Sequence, residues 1–216
     1  MNPPTETSHT EPTSPLEDVL RRHGATMVSR DGRCVAAHYG SPTSEVAVCL
    51  TTVGIADRFD RTTLELRAAD RDIELALTAL ERLPIRTWWS HLTPCSAIVR
   101  CEHGDTTACR EALMPVEGTV VDVSDRYVAI ALIGPRAADL LAACDLRKAH
   151  YTPPIVFQEG RTAFEVLVPA AEGPGQWEQL LSVGGPFQIA CVGLDALTQL
   201  AVSHRLDSSV FGMTLH

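Results

Sequence analysis

One short pattern occurs twice in this chain. Asp57-Arg58-Phe59 leads into a strand-like run through Leu64-Glu65-Leu66, then Ala68-Ala69-Asp70 at the head of a helical pattern. Asp125-Arg126-Tyr127 leads into a run through Ala131-Leu132-Ile133, then Ala137-Ala138-Asp139 within a second helical pattern. The copies lie 68 residues apart, with one residue of slippage by their end. A strand–helix unit used twice, flanked by hairpin-like strands, points to an α+β fold of two related halves packed together. The boundary between the halves falls near residues 116–124.

The 216 residues are 45% hydrophobic and 21% charged, enough for a core that needs no staples. Residues 1–13 are too polar to bury anything and read as a disordered tail. Residues 14–206 read as a single domain and 207–216 as a weakly patterned C-terminal tail. Eighteen basic residues against 27 acidic give a net charge of −9. That excludes a basic footprint for nucleic acid and disfavours an anionic membrane surface. No run approaches the ~20 apolar residues of a membrane span. The first fifteen residues hold no basic residue and no apolar run, so the expected location is cytoplasmic. The seven cysteines, at 34, 49, 95, 101, 109, 144 and 191, are irregularly spaced and mostly in apolar context, as buried free thiols are.

Ser14-Pro15-Leu16-Glu17 is a helix start, with Gly24 as its stop. Short strands are expected at 25–28, 34–38 and 45–52, and then at 62–67. A helix follows from Asp70 to Pro84. Strands are expected at 88–92, 96–101, 119–123, 127–133, 155–157 and 164–168. Helices are expected at 106–113, from Gly134-Pro135 to Cys144, and at 176–182 and 194–205. Gly173, Gly175, Gly184 and Gly185 read as turn residues.

Cys95, Cys101, His103 and Cys109 look at first like metal ligands. If 95–101 is one strand, its ends lie about 20 Å apart at ~3.3 Å per residue. Two thiolates on one zinc lie within about 4 Å; only Cys101, His103 and Cys109 could converge, through a tight turn at Gly104-Asp105, so no metal is expected. No nucleophile elbow, phosphate-binding loop or dinucleotide fingerprint is present. The histidines at 23, 38, 91, 150 and 204 have no near partner in sequence. In a strand Trp88 and Trp89 point to opposite faces, one to the core and one to the outside or a cleft. Asp57, Asp125, Glu165 and Asp195 are the carboxylates available for proton transfer or for gripping an amine.

Five blocks in order resemble the glycine-cleavage T-protein (aminomethyltransferase) superfamily, and they span most of residues 14–206. They are Val53-Gly54-Ile55-Ala56-Asp57, Ile130-Ala131-Leu132-Ile133-Gly134-Pro135-Arg136-Ala137, Phe164-Glu165-Val166-Leu167-Val168-Pro169, Trp177-Glu178-Gln179-Leu180-Leu181 and Val192-Gly193-Leu194-Asp195-Ala196-Leu197. The resemblance implies an α+β folate-binding fold with mostly antiparallel sheets, here without the family's C-terminal barrel. It also implies a central cavity where tetrahydrofolate accepts a one-carbon unit. Asp57, Trp88 or Trp89, Arg161 and Glu165 would line that cavity.

The departures bear on function. The place of the family's mid-chain acidic pair reads Pro94-Cys95-Ser96-Ala97-Ile98-Val99. The family's pterin-gripping glutamate falls on Arg161, and only a slipped loop would bring Glu159 there. Losing such a charge-assisted contact costs about 1.5–3 kcal/mol. No catalytic residue is assigned. The short, barrel-less pattern looks most like the small gamma subunit of heterotetrameric sarcosine oxidase. The expected function is an accessory subunit, catalytically degenerate, in folate-linked one-carbon or amine metabolism, with folate affinity weak or lost. Its partner would be a larger catalytic subunit or a second copy of the chain. The alternatives are an active tetrahydrofolate-dependent one-carbon transferase with a rearranged site, and a small-ligand sensor.

Overall fold

The computed structural model describes residues 11–114, 117–144, 146 and 153–204. In chain order the elements are α1 (Glu17–Arg22), β1 (Thr26–Arg30), β2 (Arg33–His38), α2 (Pro42–Thr51), β3 (Val53–Asp57), β4 (Arg61–Ala68), α3 (Asp70–Leu80), β5 (Thr87–Thr93) and β6 (Ser96–Glu102). Then follow α4 (Thr106–Leu113), β7 (Gly118–Asp122), β8 (Tyr127–Ile133), α5 (Ala137–Ala143), β9 (Ile155–Gln158), β10 (Ala163–Pro169), α6 (Gly173–Gly184), β11 (Ile189–Cys191) and α7 (Leu194–His204). Besides the β1–β2 hairpin there are two sheets. One has the order β11-β3-β8-β10-β9, the other β5-β6-β4-β7. All neighbouring strands are antiparallel except β11 and β3.

The repeated Asp-Arg-aromatic segments are the two places where the chain changes sheet. β3 lies in the five-stranded sheet, and Arg58–Asp60 carries the chain into β4 of the four-stranded one. β7 lies in the four-stranded sheet, and residues 123–126 carry it back into β8 of the five-stranded one. Each crossing is pinned alike: Arg58 N donates to Ala129 O on β8, and Val123 N donates to Thr63 O on β4, both at 2.9 Å. After each crossing come a strand, a helix, a strand hairpin and a second helix, the split βαβ order. β3 and β7 have exchanged places, since each pairs with the central strand of the other half.

Strand alternation sorts the side chains into layers. Leu64 and Leu66 of β4 with Ala97, Val99 and Cys101 of β6 pack under α3 and α4. Ile130 and Leu132 of β8 with Phe164 and Val166 of β10 pack against α1, α5 and α6. The alternate residues face the other sheet. Ile98 and Val123 meet Ala129, Phe157 and Leu167 between the sheets. Gly134 ends β8 with φ 139°, and a Cβ there would strike the Thr52 carbonyl.

Four expectations are corrected. Residues 45–51, expected with Thr52 as a strand, form most of helix α2, and Thr52 caps it. Pro42 opens it, and the Ser41 hydroxyl accepts from Ser44 N at 3.4 Å. In the run Val46-Ala47-Val48-Cys49-Leu50 only Cys49 is fully buried while Ala47 and Leu50 are exposed, so an apolar run without a clear period hides the helix. Gly173, Gly175 and Gly184 belong to α6, which is longer than expected; Gly173 sits where a Cβ would press on Val128. β11 is an added strand, held parallel to β3. At the end of the expected N-terminal tail, Thr13 bridges Cys34 and Glu11 accepts from the Ser29 hydroxyl at 2.7 Å. The C-terminal tail, His150 and Arg205 lie outside the described residues. No helix among the described residues is long and apolar enough to cross a membrane.

Candidate functional site

Arg100 occupies the face of β6 that looks toward the other sheet, two residues after Ile98. Its Nε donates to Glu165 Oε1 on β10 at 2.6 Å, and its Nη1 donates to the Thr63 hydroxyl on β4 at 2.5 Å. Arg61, at the start of β4, donates Nη1 to the other Glu165 oxygen at 2.9 Å and Nη2 to Glu102 Oε1 at 2.9 Å, and it pairs with Glu159. Arg58 grips Asp60 through Nε and Nη2, both at 2.8 Å. The Trp88 ring lies 4.1 Å from the Arg61 guanidinium carbon. Burial alone would raise the Glu165 carboxyl, but Arg100 and then Arg61 overcome it and hold it at about 2.

Beside this charged layer opens a cleft of about 670 Å³. Arg58, Asp60, Arg61, Glu102, His103 and Glu159 form its polar side. Leu50 of α2, Ile133 of β8, and Leu194, Leu197 and Leu200 of α7 form its apolar wall. The volume is that of a small-molecule site. His103 shares a hydrogen bond with the Thr62 hydroxyl at 3.1 Å, and Glu102 is 40% exposed.

Of the expected site residues, the structure joins Trp88 and Glu165 on Arg61. Neither lines the cleft directly. Asp57 ends β3 on the α1 side, where burial pushes its carboxyl up to about 7 against a hydrogen bond from Ser14; its Oδ2 has no partner among the described residues. Arg161 is exposed in the β9–β10 turn and is not part of the cleft lining, while Glu159, two residues earlier, pairs with Arg61. Asp125 is exposed in the turn before β8, and Asp195 accepts from Arg30 Nη2 at 2.7 Å. Trp89 packs into the α3–α4 core. Cys95 is exposed at one end of β6, whereas Cys101, at the other, is buried. No group of His, Cys, Asp or Glu placed to hold a metal ion occurs among the described residues.

Sequence reasoning missed Arg58, Arg61, Arg100 and Glu102. One signal was available: an arginine inside Ala97-Ile98-Val99-Arg100-Cys101, where every neighbour is apolar, needs a buried anion.

No protein-family model matches the chain, and no curated protein matches it. Solved structures do. The chain is similar to glycine cleavage system aminomethyltransferase T from Bartonella henselae, with 19% identity and a TM-score of 0.65 over 87% of this chain. It spans 61% of that enzyme's length. It is also similar to heterotetrameric sarcosine oxidase from Corynebacterium sp. U-96, with 19% identity and a TM-score of 0.51, over 82% of this chain and 96% of the matched one. The α+β fold with mostly antiparallel sheets is therefore the T-protein fold.

Proposed function

Because this chain has the T-protein fold, we propose that it is a catalytically degenerate T-protein-like domain. It acts as an accessory subunit beside a larger catalytic chain, in folate-linked one-carbon or amine metabolism of the glycine or sarcosine type. The observation that carries this reading is the capture of Glu165. A carboxylate that grips an amino-pterin must face the cleft, and Glu165 is buried away from it with each oxygen accepting from a guanidinium group. Arg161, where the resemblance puts the pterin contact, offers a cation instead and is exposed. These residues do not fit tetrahydrofolate, and no step is assigned to it. The sarcosine oxidase with the similar chain is heterotetrameric, which supports a partner subunit here.

One observation favours the alternative, an active tetrahydrofolate-dependent one-carbon transferase: the cleft beside Arg61 has room for a ligand. The test is a titration of the full chain with tetrahydrofolate, followed by calorimetry and by tryptophan fluorescence, with Trp88 as the nearest reporter. The accessory reading expects no saturable binding up to about 1 mM, the weak end of specific affinity. Micromolar binding would overturn it in favour of the transferase.

A further inference from the structure

The charged layer beside the cleft is not balanced. Ion pairs join Arg58, Arg61 and Arg100 to Asp60, Glu102, Glu159 and Glu165 in one network, so three guanidinium groups meet four carboxylates. One negative charge is left over, and the hydrogen bonds locate it. Both oxygens of Asp60, of Glu159 and of Glu165 accept from a guanidinium. Glu102 Oε1 accepts twice from Arg61, at 3.1 and 2.9 Å. Glu102 Oε2 accepts from no group among the described residues, and Arg58 Nη2 stands off from it at 3.7 Å. Glu102 is also the most exposed member of the network, and it lines the cleft.

The other ionised residues of the lining do not cancel this excess. Arg30 pairs with Asp195, and Arg86 and Asp31 offset each other in charge. The same cleft carries the apolar wall of α2, β8 and α7, where Leu50 is 49% exposed. An anion in this space would add to the surplus charge, and a neutral apolar molecule would leave Oε2 to water. A cation with an apolar body suits both sides. Its N–H groups reach Oε2 in a charge-assisted hydrogen bond of about 2.7–2.9 Å, and its body removes the leucines from water.

We propose that the cleft binds an organic monocation, a protonated amine on Glu102 Oε2 with an aliphatic body along the leucines of α2 and α7. The inference rests on the cleft alone and not on the accessory function, which the tetrahydrofolate titration tests separately.

The experiment uses octylamine, octanoate and octanol, which share one aliphatic body and differ in the head group. Each is titrated into the full chain at pH 7 by calorimetry, for wild type, Glu102→Gln and Leu50→Asn. An alkylamine is protonated at this pH, as lysine is. The glutamine keeps an oxygen for Arg61 and removes the charge, and both substituted positions are exposed, so the fold is kept. Circular dichroism melting checks folding, and if Glu102→Gln unfolds, the contrast between head groups on the wild type decides. The expected result is octylamine binding with a dissociation constant below about 1 mM, at least tenfold tighter than octanoate or octanol. Octylamine affinity is expected to fall at least tenfold in Glu102→Gln and at least threefold in Leu50→Asn. No octylamine binding up to about 10 mM overturns the proposal. So does octanoate or octanol binding as tightly as octylamine, or a wild-type affinity in either folded variant.

Discussion

Arg100 and Glu165 bridge the two sheets through a 2.6 Å contact between Nε and Oε1, and both side chains are almost wholly withdrawn from water. Replacing Glu165 by Gln leaves two guanidinium groups facing a neutral amide. Breaking a buried pair in this way costs about 3–5 kcal/mol. Urea unfolding of the full chain measures it, and a loss under about 1 kcal/mol would contradict the burial argument. The pH dependence has a definite sign. The folded carboxyl is held at about 2, below its ordinary 4.5, so its contribution is complete above the ordinary value and is lost as pH falls toward 2.

Asp57 has the opposite sign. Its folded carboxyl is raised to about 7 from 3.8, so the folded state keeps a proton that the unfolded chain gives up. Stability therefore falls as pH rises from about 4 to 7, by up to roughly 4 kcal/mol. Asp57→Asn removes that dependence. The variant is expected to match wild type near pH 4 and to exceed it at pH 8. Melting temperatures at both values decide the matter, and a variant less stable than wild type at pH 8 contradicts it.

Two arginines separate the charged layer from the surface. Arg161→Ala is expected to change stability by less than about 0.5 kcal/mol, as exposed positions do. Arg61→Lys loses the planar fork that serves Glu102, Glu159 and Glu165 at once, together with the stack on Trp88. It is expected to cost about 2 kcal/mol and to shift the tryptophan emission. Equal effects from the two substitutions would be inconsistent with the geometry.

Glu45 is a fastener. Its carboxylate accepts from Tyr39 N at 2.7 Å and from Gly193 N at 2.8 Å, tying α2 to the end of β2 and the start of α7. Glu45→Ala orphans both donors and is expected to cost about 2–3 kcal/mol. Glu45→Gln keeps an acceptor and is expected to recover part of that loss. Chemical denaturation of the pair tests this, and an alanine variant as stable as wild type is the contrary result.

Much of the fold was legible because strand alternation leaves a clear trace. Leu64-Glu65-Leu66 and Phe164-Glu165-Val166 carry that trace, and the repeated Asp-Arg-aromatic segment marks the two halves. What sequence could not supply was register across the sheets. Glu165 stood out as a carboxylate on a strand, but that Arg100 and Arg61 claim it depends on strands from different halves meeting face to face. The family resemblance points to Arg161 by its place in the segment before Phe164-Glu165. The local chain instead gives Glu159 to Arg61 and leaves Arg161 to solvent.

The exchanged positions of β3 and β7 govern how the molecule comes into being and how it comes apart. β3 emerges early in synthesis, yet its antiparallel neighbour, Tyr127–Ile133, is made only after the whole first helix pair. β3 must therefore wait, unclaimed, for sequence still to be translated, although the four-stranded sheet is complete by Asp122. The same arrangement works as a clasp afterwards. A protease that cut just before β7 would sever the chain and still leave one particle, because β3 stays in the five-stranded sheet and β7 in the four-stranded one.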